Sequence, residues 1–267
     1  MVLEYTLRTE NGKFSFELAL LDPQQLRPHE EFIEESVREM VRSFERDGWQ
    51  KNPIIVDRVT STVLDGTHRH EAAVRLGLAM VLCMVVDYQF PGIKLGTWDR
   101  QFMGDWREAL EIIKAGAKVG QGESLLITPR ERIKFHLAGM GAERYRNLNA
   151  ITQKLAERFG KPRLNPKGTL SQGYFGIRPP LITKQQVIQA ARSGQIFPPK
   201  STRHIFPVRV LLSSVPVKML RGNERQYGLG APSTLDAYFR SYDAITIDGR
   251  QEIEGRFYEE EELLFYI

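Results

Sequence analysis

The sequence predicts a mixed α/β fold of the α+β kind. Three observations point there. Two long apolar stretches, KFSFELALLD over 13–22 and AMVLCMVVDY over 79–88, read as strands, and IIVDRVTSTVLDG over 54–66 reads as a hairpin. Amphipathic stretches with helical spacing stand between them. The 267 residues are 42% hydrophobic and 26% charged, enough for a sizeable core in one large domain or two small ones.

The elements follow in order. After the strand over 13–22, Asp22-Pro23 is a break. LRPHEEFIEESVREMVRSFERDG then predicts a helix beginning at Pro28, with Glu30, Glu31, Glu34 and Glu35 in its first turns. Ile33, Val37, Val41 and Phe44 form its apolar face, and Gly48 stops it. The hairpin turns through Arg58–Ser61, and a helix from about His68 to Leu76 ends at Gly77. Residues 105–118 predict a helix, ESLLI a short strand, and Thr128–Gly160 a mainly helical segment. LNPKGTLSQGYFGIRPPL reads as an exposed, loop-rich excursion. Thr183 caps a helix to Ser193, and FPPKSTRHIFPVRVLL is a loop feeding a strand. After about residue 212 the chain alternates turns and short β-like runs. The expected division is one domain over 1–100 and a second over 101–267, with an extra C-terminal segment from about 213.

Composition narrows the function classes. No apolar run reaches about 18 residues, so no membrane span is expected. One cysteine, Cys83, lies in an apolar strand, which rules out a disulfide framework or a cysteine zinc site within one chain. The N-terminus lacks the basic and apolar blocks of a signal peptide, and the expectation is a soluble cytoplasmic protein. A net charge of +4 permits an anionic partner, but the charges are interspersed and nucleic acid gains little support.

Three segments carry candidate chemistry. In DGTHRHEA, Asp65-Gly66 makes a tight turn into a helix whose first N–H groups and positive dipole end suit a phosphate. Thr67, His68 and Arg69 would add donors. Equally, Asp65 or Thr67 could only cap the helix. His68 and His70, two apart, point to different sides and do not easily chelate one ion. In PHEE, Glu30 is either a surface acid at a helix start or a general base beside a bound hydroxyl. In KSTRH, Lys200, Ser201, Thr202, Arg203 and His204 form either an anion-recognition set or a polar loop after Pro198-Pro199. Trp98, in LGTWDR, reads as core or as a lid. Four of the five histidines, His29, His68, His70 and His204, lie inside these segments, which favours one composite site.

The ordered set LRPHEE, Ser43 of VRSF, NPIIV, VLDGTHRHEA, VDY, GTW and PPKSTRHIFP resembles the archaeal free L-serine kinases of the ParB/sulfiredoxin-like superfamily. The resemblance covers around half the chain. It implies a ParB/sulfiredoxin-like N-terminal domain packed against a second mixed α/β domain, with the active site in the cleft between them. It implies transfer of a phosphoryl group from ADP, or ATP, to L-serine, giving O-phospho-L-serine for cysteine and serine metabolism. Glu30 falls on the catalytic base. Asp65, Gly66, Thr67, His68 and Arg69 fall on the nucleotide-phosphate turn, Asp65 also on the Mg²⁺ contact, and Lys200 and Arg203 join the phosphate set. Ser43, Trp98, Thr202 and His204 fall on the serine-binding positions. Thr67 departs from the family, which carries histidine there, as Ser201 does from threonine.

A ParB-type nucleotide-dependent DNA-binding protein is the alternative, with a helix-turn-helix within Thr128–Gly160. Against it, the chain reads GTHRH where those proteins carry an arginine pair. A sulfiredoxin-like reductase would need a cysteine in the phosphate turn, and none is there. Oligomeric state is not legible.

Overall fold

In the computed structural model the chain opens with an antiparallel hairpin of β1 (Val2–Thr9) and β2 (Gly12–Leu21). The structure describes residues 2–165, 168–222, 235–240, 243–253 and 256–266. Phe14, Phe16 and Leu18 alternate along β2 and are buried, so one face of that strand is core. β3 (Arg27–Pro28) pairs in parallel with β6 (Thr62–Asp65), and α1 begins only afterwards, at Glu34–Asp47. The helix start expected at Pro28 is therefore late. The Arg27 N–H is spent on the Ser61 carbonyl at 2.9 Å, and Ile33 is still extended at φ −98. Glu30 accordingly precedes the helix, while Glu34 and Glu35 do occupy its first turn. Gly48 ends it at φ 73, a conformation that suits glycine.

β4 (Trp49–Gln50) leads to β5 (Ile54–Asp57), which pairs antiparallel with β6 through the expected turn. α2 (Thr67–Arg75) then carries the chain to β7 (Val81–Val86), parallel to β5 and buried at every residue. The resulting sheet has the order β1-β2-β7-β5-β6-β3, with α1 and α2 packed together.

The chain divides into two units, Met1–Lys94 with His204–Ile267, and Leu95–Arg203. β8 (Lys94–Gly96) lies at the first crossing. The second unit holds β9 (Asp99–Met103), α3 (Trp106–Lys114), β10 (Lys118–Ile127), β11 (Arg132–His136), α4 (Gly141–Phe159), β12 (Arg163–Asn165), β13 (Tyr174–Arg178) and α5 (Lys184–Ser193). Its sheet runs β11-β10-β13-β9-β12 and buries Phe102, Leu126, Phe135 and Phe175 against Ile113 of α3 and Leu148 of α4. Two strands here were not expected. The segment Thr128–Gly160 is mainly helical as expected, through α4, but it opens with a strand that the sequence did not predict. Thr128 folds a turn by accepting from the N–H groups of Arg130 and Glu131, so β11 returns antiparallel along β10, and only α4 is helical. The loop-rich excursion also contains β13, a central strand, because Phe175 and Ile177 bury on the core side.

β14 (Arg203–Ile205) lies at the return crossing. β15 (Val208–Leu211), β16 (Val215–Pro216), α6 (Val217–Leu220), α7 (Leu235–Arg240), β17 (Ala244–Asp248), the pair β18 (Glu252–Ile253) and β19 (Arg256–Phe257), and β20 (Glu262–Tyr266) follow. β20 is central in a sheet ordered β15-β20-β17. The structure thus differs from the expected second domain over 101–267: its last third joins the first unit. β16 pairs with β4, the Glu10 N–H donates to Glu261 at 2.8 Å, and the ring of Tyr266 meets Tyr5 edge-on at 6.3 Å.

Candidate active site

Strand β6 delivers Asp65 to its end, and the chain must then reverse into α2. Gly66 does this at φ 97, which a residue with a side chain rarely adopts. The space above it is also taken, since a Cβ there would lie 2.8 Å from Arg69 Nη2. Arg69 folds back over the turn, with Nη2 3.4 Å from Asp65 Oδ2. Gly66 stands at the N-cap of α2 and, having no side chain, offers the first turn no cap bond of its own. His68 reaches the chain before α1: its Nε2 accepts from the Ile33 N–H at 3.0 Å. Nε2 therefore carries no proton, and Nδ1 is the ring's donor.

Around Glu30 the same unit gathers more chemistry. His29 is buried, and its Nδ1–H donates to the Val63 carbonyl at 2.6 Å. Burial pushes the His29 pKa down, against the opposing pull of Glu30 and Asp65, so the ring is neutral at pH 7. Its Nε2 lies 3.9 Å from Glu30 Oε1. The His204 ring meets His29 edge-on at 5.3 Å, and His204 Nε2 shares a hydrogen bond of 2.7 Å with the Tyr88 hydroxyl. Burial holds that phenol protonated by raising its pKa. His204 and strand β6, which ends at Asp65, thus meet the buried histidine that precedes Glu30. His70 is no part of this group; its Nε2 bonds to the Pro23 carbonyl at 2.8 Å under α2. Ser43 is engaged on its own helix, where its hydroxyl donates to Asp47 at 3.1 Å.

One base and one acid missed by the sequence reading complete the turn. Arg209, on β15, is buried and spans two carboxylates, with its Nη1 2.6 Å from Asp65 Oδ2 and its Nε 2.6 Å from Glu260 Oε1. Arg209 carried a signal: an arginine inside the apolar run FPVRVLL needs a buried partner. Glu260 carried none, being one acid of EEEE.

In the second unit the loop after Pro198-Pro199 turns on Lys200, at φ 61, and Ser201 donates to the Pro198 carbonyl at 2.7 Å. The Trp98 indole donates to the Thr202 carbonyl at 3.1 Å. The Arg203 guanidinium stands 5.3 Å from the Trp98 ring centroid and the Lys200 ammonium 6.0 Å. Trp98, Lys200, Thr202 and Arg203 are therefore one local group, two cations over an aromatic ring.

Among the described residues no set of three or more His, Cys, Asp or Glu could hold a metal ion by itself. Asp65 offers a single carboxylate already shared with two guanidiniums. That fits an ion brought in on phosphate oxygens, since Mg²⁺ commonly takes only one or two protein carboxylates, and does not fit a self-standing metal centre.

Residues 7–91 match the ParB N-terminal domain. An ATP-dependent L-serine kinase of Staphylothermus marinus is 28% identical over 232 residues, 77% of this chain and 92% of the relative. A ParB-like protein of Sulfolobus acidocaldarius is 30% identical over 194 residues, 72% of this chain and 92% of the relative. A solved free serine kinase in complex with AMP shares the fold, with a TM-score of 0.60 and 20% identity over 76% of this chain and 93% of that one. The chain belongs to the ParB-like family, proteins built on a ParB N-terminal domain.

Proposed function

We propose that this chain is a kinase that moves a phosphoryl group from ADP or ATP to the hydroxyl of free L-serine. The observation that carries the reading is that the segment bearing Glu30 is tied to the Asp65–Arg69 turn on both sides, His29 to the Val63 carbonyl at 2.6 Å and the Ile33 N–H to His68 Nε2 at 3.0 Å. Phosphoryl transfer needs alignment and charge compensation more than covalent help. The N–H groups of Gly66, Thr67 and His68 and the Arg69 guanidinium hold the terminal phosphates of the donor. Glu30 takes the proton of the serine hydroxyl as it attacks in line. Lys200 and Arg203 offset phosphate charge. Ser43, Trp98, Thr202 and His204 hold the amino acid, and Trp98 excludes water that would compete as acceptor. Asp65 would hold a nucleotide-borne Mg²⁺, which supplies further charge compensation on the phosphates. The products are O-phospho-L-serine with AMP from ADP, or with ADP from ATP, and the phosphoserine would serve cysteine or serine metabolism in the cytoplasm.

Phosphorus NMR of the protein with L-serine, Mg²⁺ and each nucleotide tests this. Phosphoserine is the expected product. Glu30→Gln should slow turnover by about 10²-fold or more while nucleotide still binds. Normal turnover by that variant would remove Glu30 as the base. The DNA-binding alternative loses the helix-turn-helix expected within Thr128–Gly160, which holds a strand and one helix instead. Salt-sensitive retention of duplex DNA together with no phosphoserine would restore it.

A further inference from the structure

The segment after residue 212 had no assigned task, and Arg209 and Glu260 lie outside the residues given roles above. A phosphate-binding turn that opens on an aspartate faces a physical conflict, since the carboxylate repels the polyanion that the turn is meant to hold. The first unit resolves it from a distance in sequence. Asp65 is about a third exposed, yet its Oδ2 receives a buried guanidinium at 2.6 Å from a residue 144 positions away. That guanidinium is fixed in turn by Glu260, 51 positions further on, also at 2.6 Å. Arg209 and Glu260 are 5% and 4% exposed, so neither charge is tolerable without the other. Glu260 itself cannot drift. Its carbonyl accepts from the Arg250 N–H at 3.1 Å, the next residue donates to the Pro207 carbonyl at 2.9 Å, and β20 then pairs in parallel with β15, setting Arg209 beside Leu263. Phe206 backs the guanidinium at 5.4 Å from its ring centroid. The relay uses two different nitrogens of one planar fork, a geometry that lysine cannot reproduce.

We propose that Arg209 is a positioning residue for the nucleotide site, held by Glu260 of the C-terminal segment, and that it compensates Asp65 so that the turn accepts the phosphates of a nucleoside di- or triphosphate. The inference rests on the kinase reading for the identity of the ligand. It gives the C-terminal segment a function, as the anchor of a charge relay that ends at the phosphates.

The test separates positioning from mere stability. Arg209→Met alone leaves Glu260 buried without its cation and should lower the melting temperature. Arg209→Met with Glu260→Gln removes both buried charges and should recover much of that loss. Binding of ADP and ATP is measured directly by calorimetric titration of wild type, the single variant and the double variant, all as full chains with Mg²⁺. The expected result is a loss of nucleotide affinity on the order of tenfold in Arg209→Met that persists in the double variant. Recovery of wild-type affinity in the double variant, in step with stability, would overturn the proposal and leave Arg209 a structural residue. Wild-type protein that binds neither nucleotide overturns both this inference and the kinase reading. Wild-type protein that binds nucleotide but makes no phosphoserine sinks the kinase reading alone, and the titrations still decide the role of Arg209.

Discussion

Gly66→Ala is the most informative single substitution, because two separate costs fall on one methyl group. The backbone at φ 97 is outside the region open to alanine, and left-handed conformation costs a residue with a Cβ about 1–2 kcal/mol. The methyl would also sit 2.8 Å from Arg69 Nη2. That contact is with the tip of a flexible side chain, so it is relieved by moving Arg69 and adds little to the folding cost. Its consequence is functional: Arg69 leaves the turn and its 3.4 Å approach to Asp65. For a chain of this size the strain lowers the melting temperature by roughly 2–8 °C. Nucleotide affinity, read by calorimetric titration, should fall by about tenfold or more, since a charge-assisted phosphate contact is lost. An alanine variant with both wild-type melting temperature and wild-type affinity would refute the reasoning, because the turn would then need neither the glycine conformation nor Arg69 in place.

Three further outcomes are expected. His29 and His70 are both held below the usual histidine range by burial, so the unfolded chain takes up protons first on acidification. Their contribution to stability is therefore present above about pH 6.5 and lost as pH falls below it; a melting temperature that rises between pH 6.5 and 5 would contradict this. Cys83 is fully buried with its thiol pKa raised by that burial, and alkylation by iodoacetamide should proceed only in denaturant, as mass spectrometry can follow. Trp98→Phe keeps a ring beneath Arg203 but removes the N–H donated to Thr202, at a cost of about 1 kcal/mol in stability. Steady-state kinetics should show a higher KM for serine with the nucleotide KM unchanged, and the reverse pattern would move Trp98 to the nucleotide side.

The first sheet was legible because its strands carry their burial in the local pattern: the runs that became β2, β5, β6 and β7 are apolar where the sheet needs them to be. What was not legible depends on partners elsewhere in the chain. Arg132–His136 is as compatible with a helix as with a strand until β10 lies beside it, and Thr128 decides the matter with two hydrogen bonds at 3.2 and 2.9 Å. YFGIR sits among prolines and glycines that signal loop, and only its place between β10 and β9 makes it a strand. Pro28 looks like a helix start on composition alone, but the parallel pairing with β6 claims that stretch first.

The candidate site divides along the same line. The geometry of its turn was readable, since Asp-Gly between a strand and a helix predicts the reversal that Gly66 makes at φ 97. Its electrostatic setting was not. The family resemblance puts Asp65 beside a Mg²⁺, and the same carboxylate in the structure is spoken for by Arg69 and Arg209. A carboxylate so compensated is a weaker ligand for a lone cation and a smaller obstacle to a phosphate. On the proposed reading the turn receives an anion that brings its own metal, and one arginine and one glutamate from distant parts of the sequence, Arg209 and Glu260, tune it for that ligand.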